Sequence, residues 1–237
     1  MSSLEERWQK VRNGISEAIL SSGRKQGSVR LVAVSKFHPA SAVSELFRLG
    51  QRDFGENYIQ EARKKQDELA GLDIRWHAIG PVQTNKAKDM AGRFCLLHTL
   101  DRTDLARALL RRMPEGMVQE TLVQINIGDE PQKSGIRPAE AAAFFDELAE
   151  YGLLSAEQSR IRIRGLMCLP PRCGEEEAAR PYFAHLRKLR DSLEGRFGIE
   201  LPELSMGMSG DYRAAIKEGA TIVRIGTDIF GPRPAKI

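Results

Sequence analysis

Val29-Arg30-Leu31-Val32-Ala33-Val34-Ser35 runs straight into Lys36-Phe37-His38-Pro39-Ala40. The first of these segments is short, apolar and rich in β-branched residues, which reads as a buried strand. Past Pro39, the residues Ala42, Val43, Leu46, Phe47 and Leu49 fall at helical spacing and stop at Gly50. A strand leading at once into a helix opens a βα unit. A dinucleotide-binding sheet would place a glycine fingerprint in that first turn, and the segment from Val34 to Ala40 contains no glycine.

Outward from this unit the alternation repeats. Strands are expected at Asp53-Phe54, Ile74 to Ile79, Phe94 to Leu97, Thr121 to Ile127, Ile161 to Met167, Glu203 to Met206 and Thr221 to Ile225. Helices are expected at Tyr58 to Leu69, Thr84 to Met90, Asp101 to Met113, Pro138 to Tyr151, Glu175 to Leu193 and Ser209 to Glu218. One further helix precedes them all. Ser3 with Glu6 reads as its capping box, and Leu4, Trp8, Val11, Ile15, Ala18 and Ile19 share one face. Eight β/α units in 237 residues favour a closed TIM-type (β/α)8 barrel with an extra N-terminal helix over an open sheet. No linker rich in Pro, Gly or Ser divides the chain, so residues 1–237 are expected to form a single domain.

Composition narrows the function. Hydrophobic residues make up 41% and charged residues 29%, with a net charge of only +4, the balance of a soluble globular protein. Lys and Arg are scattered among Asp and Glu rather than gathered on one element, which argues against nucleic acid as a partner. No apolar run approaches membrane-spanning length and the N-terminus is too charged for a signal peptide. Cys95, Cys168 and Cys173 are odd in number and form no CxxC pair. A reducing cytoplasm is the expected location.

In barrels of this kind the working residues gather at the C-terminal ends of the strands. Lys36 follows the first strand, where partial desolvation would make its amine nucleophilic, as a Schiff-base lysine requires. The alternative is a strand-end lysine reaching to solvent. Asn57 follows the second strand. Ser209 follows the seventh, and Gly226 and Thr227 follow the eighth, the two loops that commonly build a phosphate site. Arg224 lies within the apolar run Thr221-Ile222-Val223-Arg224-Ile225-Gly226 and must find an acceptor, because guanidinium does not lose its proton. That acceptor is either a carboxylate such as Asp228 or a bound ligand. His77 lacks the spaced partners of a metal site and reads as a packed histidine, and no metal is expected.

These residues together resemble one family, the pyridoxal phosphate homeostasis proteins. The resemblance is carried by LVAVSK (Leu31 to Lys36), FGENYIQEA (Phe54 to Ala62), WHAIGPVQTNK (Trp76 to Lys86), INIGDEPQKSG (Ile125 to Gly135), GLMCLPP (Gly165 to Pro171), MGMSGDYRAAIKEGAT (Met206 to Thr221) and VRIGTDIFGPR (Val223 to Arg233). They occur in family order and span nearly the whole chain. The resemblance implies a barrel like the N-terminal domain of alanine racemase, with pyridoxal 5′-phosphate held as a Schiff base on Lys36. It further implies phosphate contacts from Ser209, Gly226 and Thr227, Arg224 at the pyridine nitrogen, Asn57 near the ring, and Lys133 as a residue of cofactor transfer. The sequence departs from the family pattern at Ala78, where an aromatic is usual, and at Pro81.

Two functions compete, and both need Lys36. The first is a monomeric carrier or buffer that hands the cofactor to recipient apo-enzymes, with no catalytic residue of its own. The second is an amino-acid racemase. An arginine at the ring nitrogen cannot protonate it, which weakens carbanion stabilisation and favours the carrier. Racemisation also needs a second acid/base on the far face of the substrate, and only Tyr58 and Tyr212 fall near expected strand ends.

Overall fold

The computed structural model describes residues 2–154 and 159–232. Met1 and residues 233–237 of the expected domain lie outside the described residues, and with them Arg233 of the closing motif.

The N-terminal helix α1 (Leu4–Ser21) starts where the sequence places it. The Glu6 amide donates to Ser3 Oγ at 3.1 Å and the Ser3 amide donates to Glu6 Oε2 at 2.8 Å, a complete capping box. Trp8, Val11, Ile15, Ala18 and Ile19 are buried on one face. Eight strands follow: β1 (Arg30–Val34), β2 (Asp53–Glu56), β3 (Arg75–Ala78), β4 (Leu96–Leu100), β5 (Gln119–Ile125), β6 (Ile161–Cys168), β7 (Glu203–Ser205) and β8 (Ile222–Ile225). All neighbouring pairs are parallel, and β8 pairs with β1 to close the barrel. Helices lie between them: α2 (Ala40–Arg48), α3 (Ile59–Glu68), α4 (Ala87–Met90), α5 (Thr103–Arg112), α6 (Ala141–Glu150), α7 (Arg180–Phe197) and α8 (Tyr212–Lys217).

The expected elements are all present, with shifted ends. β4 begins two residues later than the apolar run does and continues through His98 to Leu100. Helix α7 runs four residues past Leu193, because Phe197 continues the apolar stripe onto Phe145 (centroids 5.7 Å), and Gly198 then ends it in the left-handed conformation. A last helix, α9 (Thr227–Phe230), is too short to show periodicity and was not expected. It buries Ile229 and Phe230, and the guanidinium of Arg7 on α1 donates to the Ile229 carbonyl at 2.7 Å.

Alternation along the strands divides the core in two. Phe54, Leu97, Val123, Leu204 and Val223 belong to the large cluster that packs against the helices, where Val43 and Leu46 of α2 are fully buried. Each such side chain contributes roughly 1.5–3 kcal/mol. The other parity forms a small separate cluster of Val32, Leu96, Leu122, Met167 and Ile222, the barrel lumen. The lumen is otherwise polar: Asp53, His77, His98, Ser205 and Arg224 are all buried.

Candidate functional site

Lys36 stands in the turn directly after β1, half-buried, at the C-terminal end of the barrel. Both of its neighbours are pinned by helix α3. Lys65 Nζ donates to the Ser35 carbonyl at 2.7 Å, and Glu61 Oε1 accepts from the Phe37 amide at 2.6 Å. Lys65 also bonds Glu56 Oε1 (2.7 Å) and Glu61 Oε1 (2.8 Å), while the Ser35 hydroxyl donates to Glu56 Oε1 at 2.6 Å. Burial raises the Glu56 pKa, and Lys65 and Ser35 oppose that rise. Phe37 occupies the left-handed region at φ 68°, a conformation costly for a non-glycine residue and held here by its bonded amide. On the far side of the turn the His38 ring stacks on Phe230 of α9 at 4.8 Å. Residues flanking Lys36 are thus fixed from both sides.

Asn57 follows β2 at the same rim. Its backbone is hemmed by Gly80, where a Cβ would stand 2.3 Å from the Asn57 carbonyl oxygen, and the Gly80 carbonyl accepts from Thr99 Oγ1 at 2.8 Å. Asn57, Gln124, Asn126, Lys133 and Leu169 line a cavity of about 190 Å³. Lys133 is engaged there with Glu130 (2.5 Å) and the Pro170 carbonyl (2.9 Å).

Across the mouth, Arg224 points into the lumen from β8, opposite Val32 of β1. The sequence offered Asp228 as its counter-ion. Instead, Nη1 donates to Ser205 Oγ at 2.5 Å and Nη2 to the Cys168 carbonyl at 2.9 Å. Among the described residues no carboxylate forms an ion pair with this buried cation. The two glycine-bearing loops meet above it, where the Asp228 amide donates to Ser209 Oγ at 3.4 Å and the Arg224 amide donates to the Gly207 carbonyl at 3.0 Å. Gly207 (φ 94°) must be glycine, since a Cβ there would lie 2.7 Å from the Ala215 Cβ. Gly226 is half-buried and Thr227 exposed at the start of α9.

The structure therefore gathers Lys36, Asn57, Ser209, Arg224, Gly226 and Thr227 at one end of the barrel, on β1, β2, β7 and β8. Sequence reasoning missed Lys65, Glu61 and Ser205 as partners of these residues. The one signal available was Lys65 four residues after Glu61, which reads as an ordinary helix-surface ion pair. His77 is packed as expected but not silent, for its two ring nitrogens contact Asp53 and His98. Of the two tyrosines singled out, Tyr58 is exposed at the rim, with its ring 5.6 Å from that of Phe37. Tyr212 is buried, its hydroxyl in the space above Gly14 of α1.

Residues 12–234 match the model of the alanine racemase N-terminal domain, so the fold and site define a barrel of that class. Proteins described as pyridoxal phosphate homeostasis proteins align with almost the entire chain. The one from Aquifex aeolicus (strain VF5) is 42% identical over 229 residues, covering 96% of this chain and 97% of the relative. The one from Escherichia coli (strain K12) is 44% identical over 230 residues, covering 94% of each. The chain belongs to the pyridoxal phosphate homeostasis protein family. Among solved structures, PipY of Synechococcus elongatus PCC7942, described with PLP bound, has a TM-score of 0.78 at 38% identity, covering 92% of this chain and 100% of that one. Alanine racemase from Corynebacterium glutamicum shares the fold at 18% identity, with a TM-score of 0.68 and coverage of 95% of this chain and 62% of that one. Among the described residues no helix is long and apolar enough to cross a membrane.

Proposed function

We propose that this chain binds pyridoxal 5′-phosphate and holds it through Lys36, serving the homeostasis of that cofactor rather than catalysis. The observation that carries the reading is Arg224, a buried guanidinium whose protein partners are a hydroxyl and a carbonyl rather than a carboxylate. Such a cation has donors to spare for a ligand atom with a lone pair, and the ring nitrogen is one. The residues fit the cofactor in a second respect. In the loop that carries Ser209, nothing lies within 4 Å of the position a Cβ would take at Gly210, a backbone suited to close approach by a phosphate.

Each residue then has a role. Ser209, Gly226 and Thr227 bind the phosphate, Arg224 donates to the ring nitrogen, and Asn57 packs near the ring. When bound, the cofactor supplies an aldehyde, with which the Lys36 amine condenses to a Schiff base and releases water. Lys65 and Glu61 keep the Lys36 turn in place. Lys133 takes part in handing the cofactor on to recipient apo-enzymes. In this reading residues 1–237 form a single barrel domain that works as a monomer in the cytoplasm.

The test is reductive trapping. Protein incubated with pyridoxal phosphate turns yellow, borohydride bleaches it, and peptide mapping finds the label on Lys36. Label spread over surface lysines, or undiminished in Lys36→Ala, defeats the proposal.

A further inference from the structure

The polar side chains of the lumen are joined end to end. Arg224 Nη1 meets Ser205 Oγ at 2.5 Å, and Ser205 Oγ meets His98 Nδ1 at 2.8 Å. His98 Nε2 meets His77 Nδ1 at 3.0 Å, and His77 Nε2 meets Asp53 Oδ1 at 2.9 Å. Arg75 closes the far end, with Nε 2.9 Å from Asp53 Oδ1 and Nη2 2.5 Å from Oδ2. The chain draws on β8, β7, β4, β3 and β2, and crosses from the cofactor end of the barrel to its base.

The two ends fix the direction of every link. A guanidinium has only donors, so Ser205 Oγ accepts from Arg224 and its single proton is free to go to His98 Nδ1. A neutral imidazole with a bare Nδ1 carries its proton on Nε2, so His98 donates to His77 Nδ1. His77 in turn donates Nε2–H to Asp53. At that end the carboxylate is ionised: burial would raise its pKa, but the bonds from Arg75 and His77 win and hold it at about 2. An ionised carboxylate can only accept, so His77 must donate to it, and with both rings neutral every link back to Ser205 follows in the order that Arg224 permits. Neither histidine takes a second proton, because burial lowers both pKa values. Reversing any one link would set two protons or two lone pairs face to face.

We infer that Asp53, His77, His98 and Ser205 are positioning residues that lock the Arg224 guanidinium in the orientation it presents to the cofactor ring, an inference that rests on the proposed function. The lock has chemical content. With its proton spent on His98, Ser205 presents only lone pairs to Arg224 Nη1 and anchors that nitrogen, which leaves the other N–H groups of the guanidinium to donate to the ring nitrogen.

Two measurements test it. Nitrogen-15 spectra of histidine-labelled protein without cofactor, at pH 7, are expected to show both His77 and His98 protonated on Nε2 alone. The other tautomer, or an imidazolium, at either residue overturns the inference, and no variant has to fold for this result. In the second, pyridoxal phosphate is titrated into wild type, Ser205→Ala, His98→Leu and His98→Gln, with folding checked by denaturation. Gln presents an amide oxygen and nitrogen spaced like the two ring nitrogens, and so can keep the chain intact. The two breaking variants are expected to raise Kd about tenfold, the scale of losing a bond to a charged group, and to shift the visible absorption band. His98→Gln is expected to retain wild-type values. Wild-type Kd and band in His98→Leu overturn the positioning role while leaving the proposed function standing. Wild type that binds no cofactor defeats both.

Discussion

Lys65 Nζ lies 2.7 Å from the carbonyl oxygen of Ser35, the residue before Lys36, and 2.7 Å from Glu56 Oε1. One ammonium on helix α3 thus ties the end of β2 to the turn that carries the proposed cofactor lysine. The pair is deep: the side chains of Lys65 and Glu56 are 6% and 0% exposed. Breaking it leaves a buried carboxylate without its counter-charge.

Lys65→Met is therefore expected to destabilise the fold by roughly 3–5 kcal/mol, the usual cost of orphaning one member of a buried pair. Lys65→Met combined with Glu56→Gln should recover part of the loss. The sign with pH follows from Glu56, whose folded pKa is raised by burial. Protonated Glu56 needs no partner, so the loss in Lys65→Met should be smaller near about pH 5 than near about pH 8. Urea titrations of the three proteins at both pH values check both claims.

Asp53 behaves in the opposite way. Burial would raise its pKa, but Arg75 and His77 bring it down from 3.8 to about 2. A lowered folded pKa gives stability that is present above the unfolded value and lost as pH falls through the folded one. Wild type should thus lose roughly 2 kcal/mol between about pH 4 and about pH 2, with allowance for screening at the part-exposed Arg75. Asp53→Asn, less stable at neutral pH, should lack that component of the acid slope. Equal slopes for the two proteins would count against it.

How far the sequence carries can be judged from particular residues. The strand at Val32 and the helix at Val43 and Leu46 are written in periodicity, because each buries one face against a neighbour already implied by the βα alternation. Lys36, Ser209 and Thr227 could be named because the end of a barrel strand is a predictable place. The lumen could not be read. Asp53 and Ser205 look like ordinary strand-end residues, and His98 sits in an apolar run whose other members face outward or pack. Their meaning comes from pairing β2, β3, β4, β7 and β8 around a closed barrel, which a linear pattern does not contain. The same limit explains Arg224: Asp228 is near in sequence, yet Ser205 and Cys168 are the groups the fold brings to it.

Gly207 connects backbone conformation to the proposed phosphate loop. With φ at 94° and Ala215 Cβ 2.7 Å from the position of an added Cβ, Gly207→Ala must both strain the backbone and push the loop away from α8. A stability loss of about 2 kcal/mol is expected. Affinity for pyridoxal phosphate should fall more than affinity for dephosphorylated pyridoxal. Equal losses for both ligands would place the effect elsewhere than at the phosphate.

Cys168 is fully buried on β6, and burial pushes its thiol up to about 12. The thiolate is the reactive form, so the folded protein should alkylate at Cys168 only when it unfolds. Peptide mapping after a short iodoacetamide pulse, with and without urea, measures this. Rapid native labelling would show that the loop above Cys168 opens readily.

A racemase must stabilise a carbanion and deliver a proton to the opposite face of the substrate. In the proposed arrangement Arg224, held in place by Ser205 and the Cys168 carbonyl, would offer the ring nitrogen a hydrogen bond but not a proton, which would make the ring a poor electron sink. The second requirement falls on a tyrosine. Tyr212 is buried between α8 and α1, and burial raises its pKa further from neutrality. Tyr58 is at the rim but exposed to solvent, beside Phe37 rather than enclosed over the lumen. Incubation of cofactor-loaded protein with single L-amino acids and chiral analysis should therefore give turnover below about 1 s⁻¹, the low end of ordinary enzymes. Faster turnover that disappears in Tyr58→Phe would make Tyr58 the missing acid/base and the chain a racemase. If no turnover is found, Arg224→Glu, which on the proposed reading supplies a carboxylate at the ring nitrogen, still should not create it, because among the described residues neither Tyr58 nor Tyr212 is enclosed over the lumen to serve the second face.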